Sequence, residues 1–239
     1  MATLITLAKR IAKQDPVAFS EHLDATGNAV LTGLLTEREC RELSSLYDDD
    51  TAFRSHIRMA RHGFGRGEYK YLAYPLPEIV QGLRELLYPL LVTTANSWNA
   101  RMGIETEFPP LHADYLRICH ASGQTRPTPL VLRYGPGDFN CLHQDVYGDL
   151  LFPLQVAILL SEPGRDFSGG EFVLTEQRPR MQSRAEVVPL KQGDAVVFAV
   201  RNRPVAGTRS DYRVTMRHGV SPVRSGERHT LGIIFHDAD

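Results

Sequence analysis

Leu130-Val131-Leu132-Arg133-Tyr134-Gly135-Pro136-Gly137-Asp138-Phe139-Asn140-Cys141-Leu142-His143-Gln144-Asp145 is where the chain changes character. Up to Pro129, apolar residues recur mainly at helical spacing. From Leu130 onward, short β-branched or aromatic runs are separated by glycine, proline and aspartate, the punctuation of strands and turns. The same rhythm runs to the end of the sequence and predicts strands near 130–134, 139–145, 154–160, 170–175, 185–189, 195–200, 212–218 and 228–235. Short strands at such spacing predict a double-layered jelly roll or barrel.

Working back from Leu130, the first half reads mainly as helix. Thr36 followed by Glu39 is a capping box, and Cys40, Leu43 and Leu46-Tyr47 then form an apolar stripe that ends at the acidic run Asp48 to Asp50. Pro77 opens a second helical stretch through Leu86-Leu87, where Pro89 either kinks it or starts a further helix reaching Trp98. A third runs from about Leu111 to His120. Between them, Met59 to Tyr71 reads as a flexible basic loop, with Gly63, Gly65 and Gly67 among Arg61, His62, Arg66 and Lys70. No strand followed by a helix frames these glycines, so they are not a dinucleotide fingerprint; a lid over a substrate is the functional expectation. The fold class expected is therefore α+β, a double-stranded β-helix (jelly-roll) core with N-terminal buttressing helices. The expected organisation is one domain over 1–239, with 1–127 as helical support and lid and 128–239 as the jelly roll carrying the site.

Composition narrows the function. The 239 residues are 42% hydrophobic and 23% charged, which excludes a disordered, collagen-like or repeat chain. A formal charge of -1 excludes a global field that grips nucleic acid or an anionic membrane, so any such partner must meet a local basic patch. Cys40, Cys119 and Cys141 form no CxxC pair, so neither a disulfide framework nor a cysteine-ligated zinc is expected, and a reducing cytoplasmic setting fits. The apolar start is broken by Lys9 and Arg10, and Leu86 to Val92 is too short to span a bilayer, so neither secretion nor membrane insertion is expected.

His143 and Asp145 stand two positions apart, which on a strand or its end places an imidazole and a carboxylate on one face. His218, on a later strand, is the natural third ligand. Two histidines and one carboxylate on one face of an octahedral ion leave the opposite face open, the non-haem Fe(II) arrangement. Beyond His218, Arg228 and Thr230 share one strand face, and a guanidinium fork with an adjacent hydroxyl is suited to a carboxylate. The other histidines have plainer readings. His22, His56, His112 and His120 are expected to be packed or solvent-bonded, His229 to face away from Arg228, and His236-Asp237 to be a poorly anchored terminal pair.

The order His143-x-Asp145, His218 and Arg228-x-Thr230 resembles the Fe(II)/2-oxoglutarate-dependent dioxygenases. The resemblance implies that His143, Asp145 and His218 bind Fe(II), that Arg228 and Thr230 bind the far carboxylate of 2-oxoglutarate, and that O2 is the oxidant. The approach Arg133-Tyr134-Gly135-Pro136-Gly137 looks like that of AlkB-type nucleobase demethylases, which implies a hydrogen bond from Tyr134 to the cosubstrate. Those enzymes carry a second arginine six residues after the first, where this chain has Ile234. A nearer resemblance, over almost the whole chain, is to a bacterial family of oxygenases proposed to act on methylated nucleobases. It rests on Gly65-Arg66-Gly67-Glu68-Tyr69-Lys70-Tyr71, Gln124 to Leu130, Gly169-Gly170-Glu171-Phe172, Gln177 to Arg184 and Phe235 to Ala238.

That resemblance implies a methylated base in DNA or RNA as substrate. The phosphates would meet Arg61, Arg66 and Lys70, the loop with Arg178, Arg180 and Arg184, and the stretch with Arg201, Arg203, Arg209, Arg213 and Arg217. The same iron centre also suits hydroxylation of a prolyl-type peptide side chain or a small molecule. A non-catalytic module binding metal and 2-oxoglutarate is the reading from outside enzymology.

Overall fold

Two burial patterns separate the strands. Leu154–Leu159 and Ala195–Ala199 are buried at every position, as strands covered on both faces must be, whereas Phe172–Gln177 alternates between buried and half-buried. The first pattern marks a sheet between helices and core; the second marks a sheet with one open face.

The computed structural model describes residues 2–146 and 148–239. Its strands in the first half are β1 (Asn28–Leu31), β2 (Phe53–Arg58), β3 (Gly65–Arg66) and β4 (Glu68–Leu72). Then come β5 (Leu130–Tyr134), β6 (Phe139–His143), β7 (Leu154–Leu159), β8 (Phe167–Gly169), β9 (Phe172–Gln177) and β10 (Arg184–Val188). The last are β11 (Ala195–Ala199), β12 (Asn202–Val205), β13 (Tyr212–Val220), β14 (Val223–Gly226) and β15 (Arg228–Ile233). The helices are α1 (Ala2–Ile11), α2 (Pro16–Thr26), α3 (Glu37–Ser45), α4 (Glu78–Arg101) and α5 (His112–Ala121).

One antiparallel sheet has the order β1-β11-β7-β15-β5-β4-β2 and the facing one β10-β9-β13-β6-β3, with β12 beside β13. Between them pack Ala157, Val196 and Phe198 of the first sheet and Phe172, Leu174 and Val188 of the second. On the other face of the larger sheet, Val131, Ile158 and Leu231 join Leu83, Leu87, Leu91 and Trp98 of α4 in the main core. This is the jelly roll with helical buttresses, an α+β fold.

The first half departs from its expected helical character, because it also supplies β1 to β4. Lys70 conceals β4: a charged residue where the alternation places an inward side chain. Its ammonium is buried over the Tyr47 ring, 4.6 Å from the centroid, and donates to Tyr47 O and Asp50 Oδ1, each at 2.7 Å. The expected capping box is present, with Glu39 N donating to Thr36 Oγ1 at 3.3 Å and Thr36 N to Glu39 Oε2 at 2.7 Å. The same Glu39 accepts two bonds from Arg10, which ties α1 to α3. Helix α4 runs unbroken through Pro89, which lies on its exposed side beside exposed Glu85.

The C-terminus corrects another expectation. His236 and Asp237 are fully buried, and Asp237 pairs with Arg84 at 2.9 Å while accepting from His120 and Tyr74. Arg84 also donates to the carbonyls of Ile234, Phe235 and His236, so the chain end is locked onto α4. Burial by itself would raise the Asp237 pKa, but Arg84 and the hydrogen bonds outweigh it and hold the carboxyl below its ordinary value. The stabilisation is therefore present above about pH 4 and lost as pH falls through the depressed folded value. Asp237→Ala strands the Arg84 charge in the core, an expected loss of about 3–5 kcal/mol. Calorimetry should show the melting temperature falling by about 6–20 °C.

Candidate metal centre

Strands β6 and β13 pair His143 with His218, and two residues further along β13 Val220 pairs with Asn140, three residues back along β6. The extra residue on β6 is a bulge. Its effect is to turn both Asn140 and His143 into the cavity although their spacing is odd, while Cys141 and Leu142 are left exposed. Asp145 follows just past the end of β6, and His218 comes from the inward face of β13.

One ligand atom each from His143, Asp145 and His218 lies within 4.8 Å of the others. Both imidazole Nε2 atoms point at the Asp145 carboxylate, each at 3.3 Å from a different oxygen. His143 Nδ1 lies 2.8 Å from Cys141 O, which fixes the ring so that Nε2 presents its lone pair to the centre. Phe198 and Phe172 pack on His218, with ring centroids at 4.6 and 6.1 Å. Burial would raise the Asp145 pKa, but the two imidazoles hold it well below the usual carboxylate range. Burial disfavours charge on both rings. At His143 the Asp145 carboxylate outweighs it and the pKa rises, whereas at enclosed His218 burial wins and the pKa falls. The directions at Asp145 and His218 favour the ionised carboxylate and neutral imidazole that metal coordination needs, whereas His143 must give up any proton that Asp145 holds on it.

The triad lines a cavity of about 290 Å³ whose wall also includes Arg228, Thr230 and Tyr134. Three arginines are buried almost completely among the described residues. Arg84 is paired with Asp237, and Arg203 with Glu176 and the carbonyls of Asp24 and Ala25. Arg228 has no carboxylate partner there: Nη1 donates to Thr230 Oγ1 at 2.5 Å, and Nε has no hydrogen-bond partner. The Tyr134 hydroxyl is likewise buried and without a hydrogen-bond partner among the described residues, and the guanidinium lies 5.5 Å from the Tyr134 ring centroid. Burial, partly offset by Tyr134 and Glu171, pushes the Arg228 pKa down to about 10, so the side chain remains cationic at neutral pH. Gly170 permits this arrangement: its φ is +63°, and a Cβ there would sit 2.9 Å from Arg228 Cδ.

A buried cation with an unmet donor, and two histidines with one aspartate, in the wall of one cavity fit a dicarboxylate reaching from the cation to a metal. The donor set is that of an octahedral non-haem Fe(II) site. Ile234, which stands where AlkB-type enzymes have a second arginine, is buried and makes that wall apolar.

The basic residues expected at phosphates separate on inspection. Lys70 is removed from that role by its burial over Tyr47. Arg178 is 2.7 Å from buried Glu176, which also holds Arg203, so this acid draws arginines inward. Arg61, Arg66, Arg180 and Arg184 are exposed, with Arg66 beside Asp138 at 3.7 Å and Arg184 at 3.9 Å from Glu176. The glycine-rich segment is not a plain loop: β3 pairs with β6, placing Gly65 opposite Asn140 and Phe64 in the cavity wall. His229 lies outside the cavity and packs on Tyr47, as its strand phase implies. Sequence reasoning missed Gln155, a cavity residue whose Nε2 is buried without a partner. One amide inside the run Leu154-Gln155-Val156-Ala157-Ile158-Leu159 was the available signal.

Comparison with known proteins agrees with this architecture. The family model Oxygenase-NA, described as an oxygenase catalysing oxidative methylation of damaged DNA, matches residues 67–238. An uncharacterised protein of Mycobacterium tuberculosis is 51% identical over 164 residues, 69% of this chain and 70% of that protein. A Trichoplax adhaerens prolyl hydroxylase, solved with a hypoxia-inducible-factor peptide fragment, superposes with a TM-score of 0.58 at 14% identity, covering 97% of this chain and 92% of its own. An oxidoreductase of the 2OG-Fe(II) oxygenase family from Burkholderia pseudomallei gives 0.51 at 16% identity, covering 95% and 93%. At those identities the structural likeness is one of fold. No helix among the described residues is long and apolar enough to cross a membrane.

Proposed function

The chain belongs to the Oxygenase-NA family, and from that premise we propose that it is an Fe(II)- and 2-oxoglutarate-dependent dioxygenase whose substrate is a methylated base in nucleic acid. The observation that carries the cosubstrate is Arg228, a buried guanidinium that, unlike Arg84 and Arg203, has no carboxylate beside it. On this reading His143, Asp145 and His218 hold Fe(II). Arg228 and Thr230 take the distal carboxylate of 2-oxoglutarate, and Tyr134 donates to it, since burial raises the phenol pKa and keeps the proton in place.

When bound, iron with 2-oxoglutarate and O2 supplies hydroxylation of a C–H bond, with release of succinate and CO2. The protein's part is placement and exclusion of water: Phe172 and Phe198 shield His218, and Leu130, Leu132 and Ile234 keep the cosubstrate channel apolar. Hydroxylation of an N-methyl carbon gives a hemiaminal, which breaks its C–N bond to release formaldehyde and leave the base N–H. Exposed Arg61, Arg66, Arg180 and Arg184 are the cations offered to phosphates.

The test is to supply Fe(II), 2-oxoglutarate and O2 with N-methylated oligonucleotides or with proline-containing peptides. Succinate and formaldehyde in equal amounts from the oligonucleotides are expected. Succinate coupled instead to hydroxyproline would assign the protein to the peptide hydroxylases whose fold it shares.

A further inference from the structure

We infer that the His62–Phe64 ring pair is a stacking shelf for an unpaired nucleobase, so that the substrate is a base in a single strand or one extruded from a duplex. This rests on the nucleic-acid reading above and extends it from a substrate class to the residue that holds the ring.

Phe64 is 48% exposed yet lines the same cavity as His143 and Asp145. Its ring is already stacked on His62, with centroids 5.3 Å apart and planes 22° from parallel. Two exposed rings held in parallel next to a cavity present a flat π surface to whatever enters. The segment is braced rather than loose. Phe64 O accepts from Cys141 N at 2.9 Å, two residues before His143, and Phe64 N donates to Met59 O at 3.2 Å. Gly65, at φ +130°, makes the approach possible, since a Cβ there would lie 2.3 Å from Phe139 O. A shelf anchored by backbone bonds to the strand bearing His143 keeps a fixed position relative to the metal ligands.

The surroundings suit a polymer carrying bases. Leu142 and Val146, next in sequence to His143 and Asp145, are 48% and 45% exposed and leave apolar side chains on the surface of that segment. Arg61 and Arg66 flank the shelf in sequence and are exposed, with Arg66 3.7 Å from Asp138, and are the nearest cations along the chain for a sugar-phosphate backbone. Further in, Tyr69, Tyr71 and Tyr134 continue an aromatic wall. Stacking aromatics with flanking cations is how single strands are held, because every base has a π face. A base inside a duplex has both faces covered by its neighbours and must leave the stack to reach such a shelf.

The probe is a single-stranded DNA oligonucleotide containing 2-aminopurine, whose fluorescence reports stacking, titrated into the 239-residue chain and its variants. Wild type should bind and quench it. Phe64→Ala should weaken binding about ten-fold and abolish the quench. Phe64→Leu, which keeps bulk but not the ring, should behave like alanine, while Phe64→Trp should restore both, which separates a stacking role from a structural one. The corresponding duplex should bind more weakly than the single strand. Alanine and leucine variants that bind and quench like wild type, in protein that processes methylated oligonucleotides, would overturn the shelf and leave the nucleobase reading standing. Wild type that neither binds nor processes oligonucleotides would overturn both.

Discussion

Replacing Arg228 with alanine is expected to raise the 2-oxoglutarate concentration needed for half-saturation by about two orders of magnitude or more, with Fe(II) binding retained. Truncating one partner of a buried, hydrogen-bonded charge pair costs about 2–5 kcal/mol, and here the partner left behind would be the cosubstrate's own carboxylate. The proposed metal ligands come from β6, β13 and the segment just after β6, and Arg228 from β15 in the opposite sheet, so the two losses should separate. Arg228→Lys should recover only part of the affinity, because an ammonium cannot pair bidentately. Anaerobic calorimetry of 2-oxoglutarate into Fe(II)-loaded protein reads the effect. Equal loss of iron and cosubstrate would mean that Arg228 acts through the fold.

The second large effect is expected at Asp145. Its carboxylate receives both Nε2 atoms at 3.3 Å, and it is the one anionic member of the triad. Asp145→Ala leaves two neutral imidazoles on a strand pair, a site without charge compensation for a divalent ion. Fe(II) affinity should fall by more than about a hundred-fold, well above the effect of losing a supporting outer partner, and turnover should fall to background. Metal titration followed by circular dichroism distinguishes loss of the site from loss of the fold. Iron binding at wild-type strength would remove Asp145 from the ligand set.

Much of this arrangement is legible from the residues, and the remainder is hidden for definite reasons. Strand β9 is legible because its faces differ, with Phe172, Leu174 and Glu176 pointing inward and Val173, Thr175 and Gln177 outward, whereas β7 and β11 are legible as short apolar runs between turn residues. Arg228 and Thr230 are legible because one strand phase carries both. Strand β4 is not, because a lysine facing inward over an aromatic ring reads like a surface lysine until Tyr47 and Phe53 are seen around it. Strand β3 is masked by the turn-like composition of Gly63, Gly65 and Gly67, of which Gly65 serves a close backbone approach to β6 and Gly67 one to Arg133 and Tyr134 of β5.

The bulge at Cys141-Leu142 is a tertiary event with no local signature, and without it the inward placement of both Asn140 and His143 cannot be anticipated. The buried C-terminus escapes a reading of the sequence because proximity to a chain end says nothing about burial; Arg84, far away in sequence, decides it. Glu176 has the same lesson for charge. An arginine-rich stretch suggests phosphate, but Arg203 and Arg178 answer to one buried acid, which leaves a smaller exposed set for any polymer.

The most direct test of the central claim is the visible absorption of anaerobic protein loaded with Fe(II) on adding 2-oxoglutarate. A metal-to-ligand charge-transfer band should appear in wild type, saturate at one cosubstrate per chain, and require far higher 2-oxoglutarate in Arg228→Ala. A folded, iron-loaded wild-type protein that shows no band and binds no 2-oxoglutarate would contradict the account.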